Sequence, residues 1–202
     1  MVWDYRRQQQ NYSYTPLMIS GQPVERVTSF KYLGVHITED LTWTVNTQYV
    51  LKKSRQRLYF LRQLRKFKVS TSIMKAFYTS AVESVLTGSI ITWYGNSTVR
   101  DCSTLQRVVR SAERTIRTQL PALQDIYSRR VLLRAQKILK DSSHPNNGLF
   151  LPLKSRRRLC SHKARTERLR RSFYPQAIRT LNSHYTDFAH IHSSALSNIS
   201  QL

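Results

Sequence analysis

Between Lys52 and Lys68 the sequence places eight cations, Lys52, Lys53, Arg55, Arg57, Arg62, Arg65, Lys66 and Lys68, with no acid among them. Salt bridging at i to i+4 needs a carboxylate within one helical turn, so it cannot be what these charges serve. Two readings remain, a solvated face or a surface that contacts phosphates and releases their counterions, and the second is our expectation. The run from Lys154 to Arg171 is denser still. It carries Lys154, Arg156, Arg157, Arg158, Lys163, Arg165, Arg168, Arg170 and Arg171 against the single acid Glu167. Phosphate contacts carry no base information, so the expected binding is non-specific towards RNA or DNA. An aromatic such as Tyr32 or Tyr59 can add a stacking contact to a base, with core packing as the alternative for each.

Catalytic chemistry has no comparable signal. The adjacent acids Glu39 and Asp40 precede Leu41-Thr42-Trp43, where they suit a turn or a helix entry. Two-metal phosphoryl transfer needs carboxylates converging on paired cations, and no such set stands out. His190 and His192 share one side of an extended segment with His184 nearby, but they lack cysteine or carboxylate partners. His144 reads as a loop residue and His36 as a strand residue. A Gly-rich phosphate loop and a GxSxG elbow are both absent. Catalytic residues, metal and cofactor are therefore all expected to be none, and the chain is not expected to be an enzyme on its own.

Composition points the same way. The 202 residues carry 33 Lys and Arg against 11 Asp and Glu, a formal charge of +22, with 40% apolar content. That is enough chain to bury one core or two small ones, and the charge implies an anionic partner, with nucleic acid favoured over an unassembled basic piece of a larger protein. Cys102 and Cys160 have neither disulfide-framework nor zinc spacing. No apolar run reaches spanning length and the N-terminus has no signal-peptide pattern, so a nuclear or cytoplasmic location and no membrane contact are expected.

The elements that must position the cations follow from periodicity. Extended segments are predicted at Leu17 to Ile19, Val24 to Tyr32 and Val35 to Ile37, broken at Gly21-Gln22-Pro23 and Leu33-Gly34, which makes a short N-terminal β-hairpin. Helical spacing then gathers Val50, Leu51, Ser54, Leu58, Leu61 and Phe60 or Leu64 on one side of a first helix. A second helix from Ser72 to Leu86 buries Ile73, Phe77, Ala81 and Val85, ending at Gly88. Trp93 and Tyr94 read as core, with a stacking platform as the lesser alternative. A third helix begins near Ser103, capped by Asp101 or Ser103, with Leu105, Val108, Val109, Ala112 and Ile116 inside. Pro121 fits the first turn of a fourth, carrying Leu123, Ile126, Tyr127, Val131, Ala135, Ile138 and Leu139. Asp141 to Gly148 is turn chemistry. The basic run after it is partly helical and stops before Pro175, and Ala177 to Leu181 adds a turn packed through Phe173, Ile178 and Leu181.

The stretch from Val24 to Thr47, "VERVTSFKYLGVHITEDLTWTVNT", resembles the segment just after the palm of reverse transcriptases encoded by LINE-type non-LTR retrotransposons. The resemblance continues through "TSAVESVLTGSIITWYGN", "LQRVVRSAERTI", "IYSRRVLLRAQKILKDSSHPNNGLF" and "RTERLRRSFYPQAIRTLN", covering most of the chain. It implies that Phe30, Lys31, Tyr32, Leu33 and Gly34 form the hairpin beside a primer end, and that the helices beyond Trp43 are thumb and connection. Lys31 and Tyr32 join the nucleic-acid-binding set on that ground. The family's aromatic-Ala-Asp-Asp motif is missing, and "LPLKSRRRL" departs from the family's Leu-Pro-Ser-Gly-Arg-Arg. The implied protein is a catalytically incomplete fragment, with the palm of a parent polyprotein as a further partner.

The same segments are also similar to the N-terminal domain of the alkylation-repair AlkB homologue eight. That similarity implies an accessory domain linked to nucleic-acid alkylation repair or tRNA modification, alongside a 2-oxoglutarate dioxygenase or methyltransferase. The sequence itself has neither the His-x-Asp iron motif nor a glycine-rich methyltransferase turn. A structural fragment without function is the remaining alternative. The expected fold is mainly α: 1–42 a β-hairpin remnant of the palm and primer-grip region, 43–140 a helical thumb-like domain, 141–182 a loop and basic helical segment, and 183–202 a disordered tail.

Overall fold

The computed structural model describes residues 16–155 and 158–183. The proposed tail, with His184, His190 and His192, therefore lies outside the described residues from 184 onward, and so do Arg156 and Arg157. The protein is mainly helical behind a short antiparallel β-hairpin, as the periodicity predicts.

The N-terminal strands make two ribbons, where the sequence predicts one hairpin. Strand β1 (Met18–Ile19) pairs with β2 (Gln22–Pro23), and β3 (Ser29–Tyr32) pairs with β4 (Val35–Thr38). The stretch from Val24 to Thr28, predicted extended and paired, joins neither ladder. Pro23 has no amide hydrogen to offer, and the first ribbon ends with Val24 N–H donating to the Leu17 carbonyl at 2.7 Å. Both ribbons close through two residues with positive φ, Ser20 and Gly21, then Leu33 and Gly34. Paired positive φ is the turn that matches strand twist, and Gly34, at φ +83°, adopts it without a Cβ penalty. Strand β3 is exposed throughout, whereas β4 buries Val35 and Thr38 and lies on the first helix.

Helix α1 (Thr44–Lys66) buries Asn46, Thr47, Val50, Ser54, Leu58 and Leu61. The predicted stripe is correct at Val50, Ser54, Leu58 and Leu61 but not at Phe60, which is 56% exposed, because the stripe turns past it between Leu58 and Leu61. Asp40 serves the turn rather than the helix entry. Its carboxylate accepts from the Thr38 hydroxyl at 2.5 Å and the Thr42 amide at 3.0 Å, which holds it below the usual carboxylate range.

The predicted second helix is three pieces: α2 (Thr71–Phe77), a π-helical turn (Tyr78–Glu83) and α3 (Ser84–Leu86). Its buried residues are Met74, Tyr78, Val82 and Leu86, one position after the predicted Ile73, Phe77, Ala81 and Val85. Ile73 is 57% exposed. A repeat of four drifts about 40° per step around an α-helix of 3.6 residues per turn, and the wider π-turn takes up that drift so that all four side chains stay inside.

Beyond Gly88 comes α4 (Ile90–Trp93), and its Trp93 and the following Tyr94 are core residues, with Trp93 Nε1 donating to the Gly88 carbonyl at 2.9 Å. Helix α5 (Val99–Ile116) starts four residues before the predicted Ser103, because Thr98 is the cap and its hydroxyl accepts the Asp101 amide at 3.1 Å. Its buried stripe is the predicted one. Helix α6 (Leu123–Lys140) likewise starts after Pro121 rather than on it. Ala122 already accepts the first helical amides, and the Leu123 amide is taken by Gln106 Oε1 at 3.0 Å.

The basic C-terminal run is not one helix ending before Pro175. Pro152 bridges Leu159 in antiparallel fashion, α7 (Glu167–Arg170) is a single turn, and α8 (Phe173–Ser183) runs through Pro175. As the third residue of α8, Pro175 falls where the amide has no helical acceptor, so nothing is lost. Asn182 clasps Leu159 in both directions, at 2.8 and 3.1 Å, and α8 packs on α6.

Two tests follow from this packing. A Cβ on Gly95 would stand 2.5 Å from the Tyr127 hydroxyl and 2.8 Å from the Arg171 carbonyl oxygen, so Gly95→Ala is expected to cost about 1–3 kcal/mol, read as a lower midpoint in thermal circular dichroism. Burial pushes the phenols of Tyr78, Tyr94 and Tyr127 up. The unfolded chain ionises these groups at about pH 10 while the folded chain keeps their protons, so their contribution is complete below that pH and is lost as pH rises. Alkaline titration should therefore show a late phenolate absorbance step coinciding with loss of near-ultraviolet dichroism. Ionisation of every tyrosine before unfolding would contradict the burial.

Candidate nucleic-acid interface

Because α1 buries one side only, its remaining positions are free for charge. Lys52, Lys53, Arg55, Arg62 and Lys66 are exposed along it, and Lys68 is exposed just beyond its end. Arg65 is half-buried. Helix α5 packs beside α1 and carries its own row of exposed arginines, Arg100, Arg107, Arg110, Arg114 and Arg117. At spacings of seven, three and four, Arg100, Arg107, Arg110 and Arg114 share one face of the helix, and Arg117 follows just beyond its end. The sequence reading missed that row by attending to the apolar stripe, although the arginine spacing itself was the available signal.

The two helices meet in a groove of about 280 Å³ lined by Arg55, Leu58, Arg62, Thr104, Arg107, Val108 and Ser111. Arg62 Nη2 donates to the Ser111 hydroxyl at 3.2 Å across it. Three guanidinium groups and two hydroxyls surround an apolar floor, and each guanidinium offers a planar fork of donors whose geometry matches phosphate oxygens. On α5, Glu113 faces elsewhere, accepting the Leu120 amide at 3.0 Å.

Other predicted cations have internal partners. Arg57 is half-buried and its Nη1 donates to the Ala81 carbonyl at 2.5 Å, a carbonyl of the π-turn. Lys31 Nζ donates to the Tyr49 hydroxyl at 3.0 Å and lies 4.7 Å from that ring's centroid, with Lys53 at 5.9 Å. The His36 ring stacks at a tilt on Tyr49, centroids 4.6 Å apart. The Lys31 hydrogen bond, helped by the charges of Lys31, Lys53 and Arg57, draws the Tyr49 phenol below its ordinary value. Lys31 thus staples the β3–β4 ribbon to α1, while Tyr32 is 57% exposed on the ribbon's outer side.

The C-terminal cations divide in the same way. Lys154, Arg158, Lys163 and Arg165 are exposed in loops. Arg168 Nη2 donates to the Asp40 carbonyl at 2.8 Å, and Arg170 and Arg171 both pair with Glu167, whose carboxyl is held low by the Arg171 hydrogen bond first. Among the described residues no group of three or more His, Cys, Asp or Glu is placed to hold a metal ion, and no helix is long and apolar enough to cross a membrane. Burial pushes the Cys102 thiol up and so keeps it protonated at neutral pH.

A family model described as "Alkylated DNA repair protein alkB homolog 8, N-terminal" matches residues 43–84, about a fifth of the chain. The matched stretch spans α1, α2 and the π-turn, the unit fastened by Arg57 to Ala81. No curated protein and no solved structure matches. These comparisons support the AlkB-homologue resemblance and give none to the retrotransposon one.

The split between internal and outward cations is open to measurement. Arg57→Ala strips the Ala81 carbonyl of its guanidinium partner and is expected to cost about 1–3 kcal/mol. Lys52→Ala, on the open face, should stay within about 0.5 kcal/mol. Urea denaturation of the two variants reads the difference, and equal stabilities would reject the assignment.

Proposed function

We propose that this chain is a non-catalytic nucleic-acid-binding module that grips the phosphate backbone through the paired basic faces of α1 and α5. The single observation that carries this is the groove where Arg55 and Arg62 of α1 meet Arg107 of α5 with no carboxylate in its lining. The family match over residues 43–84 falls on α1 and its returning segment. It supports an accessory role in alkylated-DNA repair, the activity in that family's description, and the wider sequence resemblance adds tRNA modification as an alternative. On this reading the oxygenase or methyltransferase chemistry resides in a partner, and the partner of this chain itself is RNA or DNA, bound without sequence preference.

A second reading, a reverse-transcriptase fragment that binds nucleic acid in the same way, is favoured by one feature. The two ribbons expose the apolar side chains of Leu17, Met18, Ile19, Phe30, Tyr32 and Leu33, which suit docking on a further domain such as a palm. A reverse-transcriptase frame in the genomic flank upstream of Met1 supports it, and an oxygenase or methyltransferase frame in that position rejects it.

Binding of the purified chain to RNA and to duplex DNA is expected to fall linearly on a log–log plot against salt. Each of Arg55→Gln, Arg62→Gln and Arg107→Gln should reduce the slope by about 0.7–0.9. Affinity that is flat across the salt series would remove the phosphate-contact mechanism. Iron-dependent turnover of 2-oxoglutarate by the chain alone would overturn its non-catalytic assignment.

A further inference from the structure

We infer that the outer face of α1 is a stacking platform for single-stranded nucleic acid, with Tyr59 as the ring that receives a base. This rests on the phosphate-binding reading above and adds the class of strand. Tyr59 and Phe60 are adjacent, each 56% exposed, on a helix whose buried side is already filled by its neighbours Leu58 and Leu61. Their rings meet edge to face with centroids 5.6 Å apart, so Phe60 limits the tilt of Tyr59 while leaving it open to solvent.

The surroundings of Tyr59 say what the ring faces. On a helix of 3.6 residues per turn, Lys52, Arg55, Arg62 and Lys66 stand seven and four residues before Tyr59 and three and seven after it, all on its side. Arg55 and Arg62 flank the ring about 6 and 4.5 Å away along the axis. All four of these cations are exposed, and no acid interrupts them. An aromatic plane between two guanidinium groups offers a base its stacking surface and the adjoining phosphates their counter-charges. An apolar protein partner would have to desolvate these four cations without compensation, which disfavours that occupant.

Stacking requires an unstacked base. A duplex keeps its bases in the stack and presents phosphates outward, so it engages the cations and leaves Tyr59 idle. The platform therefore separates strand classes, while the groove of Arg55, Arg62 and Arg107 serves both.

The test uses the full chain in anisotropy titrations with oligo(U), oligo(dT) and a duplex, each about twelve residues long. Tyr59→Ala is expected to weaken single-strand binding about tenfold and leave duplex binding unchanged. Tyr59→Phe should restore the single-strand affinity, and the added indole of Tyr59→Trp should be quenched by single strands only. Oligo(U) and oligo(dT) report whether the sugar matters, and loss with either one supports the platform. If Tyr59→Ala leaves single-strand affinity intact, or weakens single and double strands equally while the salt slope persists, the platform is overturned and the phosphate reading stands. If the folded wild-type chain binds no nucleic acid even at low salt, both fall.

Discussion

A chain with 33 lysines and arginines against 11 acids cannot neutralise its cations with its own carboxylates. The fold answers with backbone oxygen. Arg57 reaches the Ala81 carbonyl, Arg130 the Thr87 carbonyl at 2.5 Å, Arg168 the Asp40 carbonyl and Arg179 the Arg170 carbonyl. Each bond joins segments distant or looped in sequence, and each pairs a charged donor with a neutral acceptor, stronger than an amide pair and weaker than a buried ion pair. Self-repulsion among the remaining charges works against compactness, so these clasps stabilise the molecule where salt bridges ordinarily would.

The same shortage sorts the cations by role. Those near an available carbonyl bond to it and tie the turn after β4, the π-turn and the C-terminal helices to the segments beside them. Among the described residues, the cations on the open faces of α1 and α5 reach no such carbonyl and stay exposed. The apolar stripe within each helix fixes which face is open, since Val50, Leu58 and Leu61 on one and Leu105, Val109 and Ile116 on the other commit the opposite sides to the core. The proposed interface thus follows from packing: the helices pack through their apolar stripes, and Arg55, Arg62 and Arg107 are brought together at the seam as a by-product.

Much of this was legible in the sequence, and the failures are informative. The inner stripe of α5 was read correctly because its five residues match one helical face without a competitor. The second helix was misread by one position because Ile73, Phe77, Ala81 and Val85 and the true Met74, Tyr78, Val82 and Leu86 are both apolar sets at spacing four. Periodicity cannot rank two adjacent stripes, and the choice between them is made by what α1 presents across the gap. The internal engagement of Arg57 and Arg168 was not legible, because a carbonyl acceptor looks the same at every position of a sequence, and that of Lys31 was not, because tertiary packing alone brings the Tyr49 hydroxyl to it. The arginine row of α5 was legible and was overlooked. Its meeting with α1 was not, since it depends on tertiary packing.

The π-turn carries a consequence for length. A hydrogen-bonded ring closing over five residues rather than four holds one residue more than a regular helix between the same two ends. Straightening Tyr78–Glu83 into regular α-helix with every residue kept would rotate everything after it by about 100°. Leu86 would then swing out of the core. The wide turn thereby absorbs one surplus residue, so a single deletion inside Tyr78–Glu83 restores regular helix with Leu86 still inward, whereas a deletion within α1 or α5 meets no such slack.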